Sequence, residues 1–505
     1  MYTIQRDPAP SVSRPSNGLG VLLAPAFWLF GAALVLALSR TEDGGVQIGL
    51  LGFMVLPAFV LGATRSRWQV PYLLCAWAFG PEVRRVADWI GGEYQTVSVL
   101  SLVPLLATLS LLLPMWRTRV RLTGPLRAAT LCLCVAYVYG AIVGAARNGF
   151  FVALYECATY VVPFLLVLYA ASRPANPRER DQWLRALSVV ATLVAAYGWV
   201  QIIFVPPWDK FWMERSGLAV GLPAPFQFRL FSTMNSAGPA ALMLAMGLGP
   251  MLLERRWRGF FGWAGVIVVA SALAFSQVRS AWLLALVVIG VYVLLSPARR
   301  RLNTALAVGF LGVALLLAGP FLPGWELVSD RAATLQNIQE DGSFQGRLAT
   351  GGTAVASVLV NPLGYGMGFA GTATKLLGAN PNTSRRDAVD NTETGILNLL
   401  QTFGLLGGVA LFAAIGFLFA ATGPPRPSRT PADFAAQNGA PGLIPLARTA
   451  LVCCLVGLLF GNVLPGVAGF LTWLLFSVAM GPAPSPRPSL SAAPHTRTKE
   501  RPSLP

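Results

Sequence analysis

Histidine is nearly missing from this sequence of 505 residues, and the single one, His495, lies close to its C-terminal end. An imidazole base or an imidazole-ligated metal centre is thereby excluded from the body of the chain, so any chemistry has to rest on carboxylates, guanidinium groups, hydroxyls and backbone. Charge is also scarce. Asp, Glu, Lys and Arg make up 12% of the residues, about half of the roughly 25% usual in soluble domains, and a water-soluble fold is excluded. Cysteine is sparse and badly placed for cross-linking. Cys75, Cys132, Cys134, Cys157, Cys453 and Cys454 all fall inside apolar blocks, with no loop cysteine to pair with, which argues against a disulfide framework and against a metal cluster. No internal repeat is visible.

What is abundant is apolar sequence, 55% of the chain. It is gathered into blocks of roughly 17 to 23 residues, the length a helix needs to cross a hydrocarbon core of about 30 Å. Candidate spans lie near 19–39, 46–63, 68–81, 96–115, 125–146, 150–171 and 183–205, then 234–253, 259–276, 280–296, 304–322, 394–421, 443–463 and 465–481. The expected fold class is all-α, a polytopic transmembrane bundle of about 12 to 14 spans with one large outer loop containing short helices. The expected divisions are a cytoplasmic tail over 1–18, a bundle over 19–322, the outer loop over 323–393, and further spans over 394–481 interrupted by a cytoplasmic linker at 422–442. A disordered cytoplasmic tail over 482–505 completes them. The block after residue 18 runs past signal-peptide length and is taken as a first span.

The formal charge of +17 is carried by short turns between apolar blocks, so it reads as a topology signal and not as a nucleic-acid footprint. With the N-terminus inside and every block spanning, the clusters Arg65/Arg67, Arg117/Arg119/Arg121, Arg173/Arg178/Arg180/Arg185, Arg255/Arg256/Arg258 and Arg299/Arg300/Arg301 all fall on the inner side. That agreement requires the short third block, 68–81, to be counted despite Pro71. The segments 206–233, 277–279 and 323–393 are left outside. In the last of these the charges nearly cancel, as expected of a translocated loop: Arg331, Arg347, Lys375, Arg385 and Arg386 stand against Glu326, Asp330, Glu340, Asp341, Asp387 and Asp390.

Several charges mark the outer ends of spans, and each has a bland reading beside the functional one. Arg279, in SQVRSAW, is either a fixed cation for an anionic head group or a snorkelling turn residue. Arg229, with Asn235 just beyond it, either joins the positive end of the next helix in holding an anion, or precedes a helix capped by Ser232 or Thr233. Arg347 sits just before a membrane-lying helix expected over 347–360, and the Gly-rich stretch at 361–371 reads as a tight turn or, less strongly, a phosphate cradle. Asp390 and Glu393 either offer a carboxylate base or cap the helix that starts at 394. Glu156, about two turns inside its span, has to face the bundle interior, with Arg147 or a loop arginine as its expected partner.

Order matters more than any one of these. Arg229 and Asn235 before a span are followed by S-x-x-R-S at 276–280, GR at 346–347, N-P-L-G-x-G-x-G at 361–368, Asp390-Asn391, and E-T-G-I-L-N-L-L-Q-T-F-G-L-L-G at 393–407. Over roughly 225–415 the sequence resembles the O-antigen ligase and Wzy-type polysaccharide polymerase superfamily. The resemblance implies a multi-pass bacterial inner-membrane glycosyltransferase of the GT-C type, independent of metal and cofactor, with cytoplasmic termini. Its donor would be a glycan on undecaprenyl diphosphate and its acceptor a sugar hydroxyl at the periplasmic face. Arg229, Arg279 and Arg347 would hold the diphosphate, Asn235, Asn391 and Glu156 would orient the substrates, and Asp390 or Glu393 would act as the base. Ligases place a His in the long loop near the position of Asp390-Asn391. This departure points to an O-antigen or exopolysaccharide polymerase, with a chain-length regulator as a further partner, over a ligase acting on lipid A core. A transporter or flippase is the rival from another class, but charges gather at one membrane face and no paired broken helices occur in matching halves.

Overall fold

The computed structural model describes residues 44–118, 120, 122–173, 176–217, 220–333, 342–370, 394–423 and 442–481. The expected span 19–39, the outer-loop segment 371–393, the linker 424–441 and the tail from 482 onward lie outside them.

Helices dominate the described residues, and the only strand-like pairing among them is a single antiparallel bridge, Gly221 with Phe228. In chain order the helices are α1 Gly44–Ala63, α2 Gln69–Ile90, α3 Val103–Leu109, α4 Leu112–Trp116, α5 Gly124–Asn148, α6 Phe150–Ala171, α7 Pro177–Phe204, α8 Pro207–Arg215 and α9 Ala237–Leu253. They continue as α10 Gly262–Phe275, α11 Arg279–Leu295, α12 Ala298–Ala318, α13 Trp325–Ala333, α14 Gly342–Val360, α15 Gly395–Ala421, α16 Leu443–Gly457 and α17 Gly466–Ser477. Among the described residues, seven helical stretches are long and apolar enough to cross a membrane, and six shorter apolar helices accompany them. The chain is a polytopic all-α membrane protein.

The outward faces show what surrounds the bundle. On α5, Leu131, Val135, Val138 and Ile142 are exposed, while Leu133, Ala136, Gly140 and Gly144 face inward. Leu302, Leu306, Phe310, Val313 and Leu317 repeat the outward stripe on α12. Exposed branched aliphatic residues at 3 and 4 spacing fit lipid, not water.

The arginine-bearing turns are tied together at one end. Arg117 Nη1 reaches the Ala63 carbonyl at 3.4 Å, Arg180 Nη2 the carbonyls of Ala170 and Met480, and Arg185 Nε the Arg256 carbonyl at 2.7 Å. The other end gathers the starts of α6, α9, α11, α15 and α17 with the ends of α2, α7 and α10. It carries the candidate site residues.

Two sequence expectations change in detail. The block 68–81 is helical but does not stop there: with no breaker after Pro81, α2 runs on to Ile90 and carries Glu82, Arg84, Arg85 and Asp88 into a buried setting. The Gly-rich stretch is more than a tight turn. Residues 362–368 are wedged between α5 and α15, and the backbone of both helices receives them: Tyr365 N–H donates to Gln401 O at 2.7 Å, Gly366 N–H to Thr402 O at 2.9 Å, and Met367 N–H to Gly140 O at 2.9 Å. Leu405 N–H returns a bond to Pro362 O at 2.8 Å. The donors from the wedge satisfy carbonyls that α15 frees by breaking at Gly404, whose φ of 62° is open to glycine but costly for other residues. Irregular backbone inside a membrane protein survives only where protein partners replace the missing helix bonds, and here they do. Gly144 gives the wedge its room, since a Cβ at that position would lie 2.2 Å from the Met367 carbonyl oxygen.

Candidate functional site

The last two turns of α2 supply an ion cluster that the sequence reading passed over. Arg85 has no exposed surface. It pairs with Glu82, its Nη1 lies 3.2 Å from Asp209 Oδ1 on α8, and its Nη2 donates to the Ser232 carbonyl at 2.5 Å. Tyr197 on α7 donates one hydroxyl proton into the space between Glu82 Oε1, at 2.6 Å, and Asp209 Oδ2, at 2.8 Å. Trp208 Nε1 reaches Glu82 Oε1 at 2.7 Å, and Gln201 Nε2 reaches Asp209 Oδ2 at 2.9 Å. Every member is tied to another element, so the cluster works as a clip that locks α2, α7, α8 and the loop before α9. That loop is itself strained at Phe226 and Ser232, whose φ values are 58° and 50°, and backbone strain of this kind persists only where surroundings over-determine it.

Two depressions open on either side of this loop. The first is a cleft of about 490 Å³ lined by Val220, Gly221, Gln227, Phe228, Arg229, Gln277 and Leu327. A short hairpin builds one wall: Gly221 pairs with Phe228, and Arg229 N–H donates to Val220 O at 2.8 Å. Leu230 N–H then donates to Phe275 O at 3.3 Å, which pins the hairpin exit to the end of α10. Four residues later Arg279 begins α11, after Gln277 in the left-handed region with φ of 55°. Arg229 therefore lines the cleft from the hairpin, and Gln277 lines it two residues before Arg279 opens α11; both arginines are half-buried. The positive end of the helix dipole adds to the two guanidinium charges. Leu327 of α13 brings the outer loop to the same place.

The second depression is a cavity of about 450 Å³ beneath the end of α2, with Trp77, Arg84, Tyr94, Ser101, Tyr155, Trp212 and Asn235 among its lining. Arg84 sits over the Trp212 ring at 5.2 Å, donates to Ser101 Oγ at 3.2 Å and to the Gln95 carbonyl, and lies 3.7 Å from Asp88 Oδ2. Asp88 lies past the apolar part of α2, and burial pushes its carboxyl up to about 6 from 3.8 against the pull of Arg84.

The other sequence candidates fall as follows. Asn235 lines the cavity and not the cleft, so the loop separates it from Arg229. The expected caps are reassigned: Ser236 precedes α9, Ser232 Oγ bonds the Val194 carbonyl, and Thr233 Oγ1 donates to Ala78 O at 2.6 Å. Arg347 lies in α14, which docks on α15 where Gln401 Nε2 donates to Ser357 Oγ at 2.8 Å. Glu156 accepts from the Gly368 N–H, and Arg147, one of its two expected partners, donates to Gly364 O at 2.7 Å. Asn148 Nδ2 adds bonds of 3.0 Å to the carbonyls of Tyr365 and Met367. The N–H groups of residues 364 to 368 all donate within the protein, so the glycines Gly364, Gly366 and Gly368 offer no free N–H to a phosphate. Asp390, Asn391 and Glu393 lie outside the described residues.

Residues 264–412 match the family model described as O-antigen ligase. The chain carries an O-antigen ligase family domain. This domain spans less than a third of the sequence and runs from α10 through the first two-thirds of α15, taking in Arg279, Arg347, the wedge and the break at Gly404. Arg229 and the cavity lie outside it. No curated protein matches the chain. A membrane-embedded role in glycosyl transfer of the ligase or polymerase kind follows from the O-antigen ligase domain.

Two signals in the sequence pointed to what was missed. Glu82 and Arg85 three apart, with Arg84 and Asp88 four apart, continue a helical period straight out of an apolar block. On α5 the run Gly140, Gly144, Asn148 marks a face of small residues four apart where another backbone comes close.

Proposed function

We propose that the protein is a polysaccharide polymerase that joins glycan repeat units carried on undecaprenyl diphosphate, and that the cleft at Arg229 and Arg279 holds the donor diphosphate. The observation that supports this reading is a cleft lined by Arg229 and by Gln277, two residues before Arg279 opens α11, at the end of the bundle opposite the arginine-rich turns. Cytoplasmic turns are the ones enriched in Arg and Lys, so this end faces the periplasm and both termini face the cytoplasm of an inner-membrane protein. Arg347, a residue of α14, is the third arginine assigned to the diphosphate in this reading.

In the proposed reaction an acceptor hydroxyl oxygen attacks the anomeric carbon of the donor. The bond from that carbon to the diphosphate oxygen breaks, and the lipid diphosphate departs with the electron pair. Asp390 or Glu393 accepts the hydroxyl proton. Guanidinium groups already in place where negative charge grows on the leaving group lower the barrier without reorganisation. Polymerase is preferred to ligase because the segment 323–393 contains no His.

The test is deletion of the gene and complementation with wild type, Arg229→Ala, Arg279→Ala or Asp390→Asn, read by glycan gels with protein abundance checked. Each substitution is expected to abolish long chains while single repeat units persist. Capped lipid A lost altogether, with polymer accumulating on the carrier lipid, would make the protein a ligase. Wild-type glycan in all three strains would remove these residues from the reaction.

A further inference from the structure

The cavity beneath α2 is built by α2, the segment 94–102, the start of α3, α6, α8, the loop before α9 with the start of that helix, and the start of α17, none of which belongs to the O-antigen ligase domain. We propose that it is a saccharide subsite that receives an uncharged sugar ring of the acceptor glycan. The proposal rests on the transferase reading above and adds to it a second ligand site, distinct from the diphosphate cleft.

Three features select this ligand. The first is charge. Arg84 is the only cation among the described residues that line the cavity, and its guanidinium is already engaged: Nη1 on Ser101, Nη2 on the Gln95 carbonyl, and Nε 3.7 Å from the Asp88 carboxylate. An anion gains little from a cation that is paired and has no free fork to offer. The second is the wall. Trp77, Tyr94, Tyr155 and Trp212 surround the space, with Tyr94 and Trp212 meeting edge to face at 5.2 Å. A pyranose has apolar C–H faces and a hydroxyl rim, so aromatic walls with few polar groups suit it, and the volume of about 450 Å³ lies in the usual range of small-ligand sites, roughly 300–1,000 Å³. The third is a polar group that lacks a partner. Asn235 Oδ1 is buried without a hydrogen-bond partner. A buried amide left in this way costs free energy until something bonds it. A sugar hydroxyl both donates and accepts, so it fits the amide in either orientation.

Position supports the assignment. Arg229 and Asn235 are six residues apart on one loop, the first lining the cleft and the second the cavity. A diphosphate at one and an acceptor ring at the other would therefore lie on opposite sides of the same segment. Because cavity and cleft share no lining residue, the choice of acceptor sugar can vary at the first without altering the walls of the second.

The experiment uses the purified full-length protein in detergent micelles. The probes are methyl glycosides of glucose, galactose, mannose and rhamnose by saturation-transfer NMR, a methyl glucuronide as charged comparator, and inorganic pyrophosphate by calorimetry. At least one neutral glycoside is expected to give a signal that Asn235→Ala and Tyr94→Leu each weaken by about five-fold or more, the loss expected for one hydroxyl bond. Pyrophosphate affinity should stay within about two-fold in both variants. The Asn235 substitution spares the backbone carbonyl that accepts from Trp212 Nε1 at 3.3 Å, so the local fold has its tie. No neutral glycoside signal in wild type, a preference for the glucuronide, or equal signals in wild type and both variants would overturn the proposal. Pyrophosphate binding that ignores Arg229→Ala and Arg279→Ala would sink the diphosphate reading alone, leaving the saccharide result to be judged by itself.

Discussion

Replacing Arg85 with Met should be among the most damaging single changes outside the apolar core. Its head group meets Glu82, Asp209 and the Ser232 carbonyl with no exposed surface, and Asp209 is equally buried. An exposed pair would contribute about 0–1 kcal/mol; burial decides against that estimate. Removing one partner of a buried pair costs about 3–5 kcal/mol because the remaining charge is stranded, and here two carboxylates are stranded at once. Tyr197, Trp208 and Gln201 still donate to them, which keeps the expected loss inside that range. The assay is unfolding of the detergent-solubilised protein followed by tryptophan fluorescence, with a drop in midpoint of about 5 °C or more. The triple variant Arg85→Met, Glu82→Gln, Asp209→Asn should recover most of the loss, since neutral amides need no cation. A loss under about 1 kcal/mol for Arg85→Met, or no recovery in the triple variant, would refute the clip.

Gly144→Ala should prevent the Gly-rich wedge from seating, because the added methyl would stand 2.2 Å from Met367 O; limited proteolysis should then cut within 361–370, and an uncut variant would contradict the packing. Asp88 should give the protein a pH signature. Its folded pKa of about 6 lies above the 3.8 of the free side chain, so the folded state holds this proton more tightly, and stability should fall as pH rises from about 4 through 6. Asp88→Asn should flatten that decline in the unfolding midpoint, and an identical slope in variant and wild type would show that the carboxyl is not held in this way.

The spans were legible because apolar blocks of membrane length need no tertiary information: α5, α6, α7 and α15 lie close to where hydropathy put them. The end of α2 was not, because charge after an apolar block reads as an exit into water; only the partners Asp209, Tyr197 and Trp208, more than a hundred residues away in sequence, make burial tolerable. The Gly-rich stretch was placed as a turn since local sequence reports conformational freedom and not what lies alongside; its glycines serve close backbone packing against α5 and α15. Arg229 and Arg279 were singled out from order and spacing, and the bond from Leu230 to Phe275 ties the segments that carry them. Asn235 was singled out beside Arg229, but six residues of loop with positive φ at Ser232 turn it into a different depression. Arg84, Tyr94 and Trp212 carry no motif that spacing alone could reveal.

The claim on which the account depends is that the cleft faces away from the cytoplasm. With the native cysteines replaced, Arg229→Cys, Arg279→Cys and Arg117→Cys can each be challenged with a membrane-impermeant maleimide in cells whose outer membrane has been permeabilised. Labelling at 229 and 279 without lysis, and at 117 only after lysis, is the predicted pattern. Labelling at 117 in intact inner-membrane vesicles of native orientation, with 229 and 279 reached only on disruption, would place the cleft in the cytoplasm and contradict it.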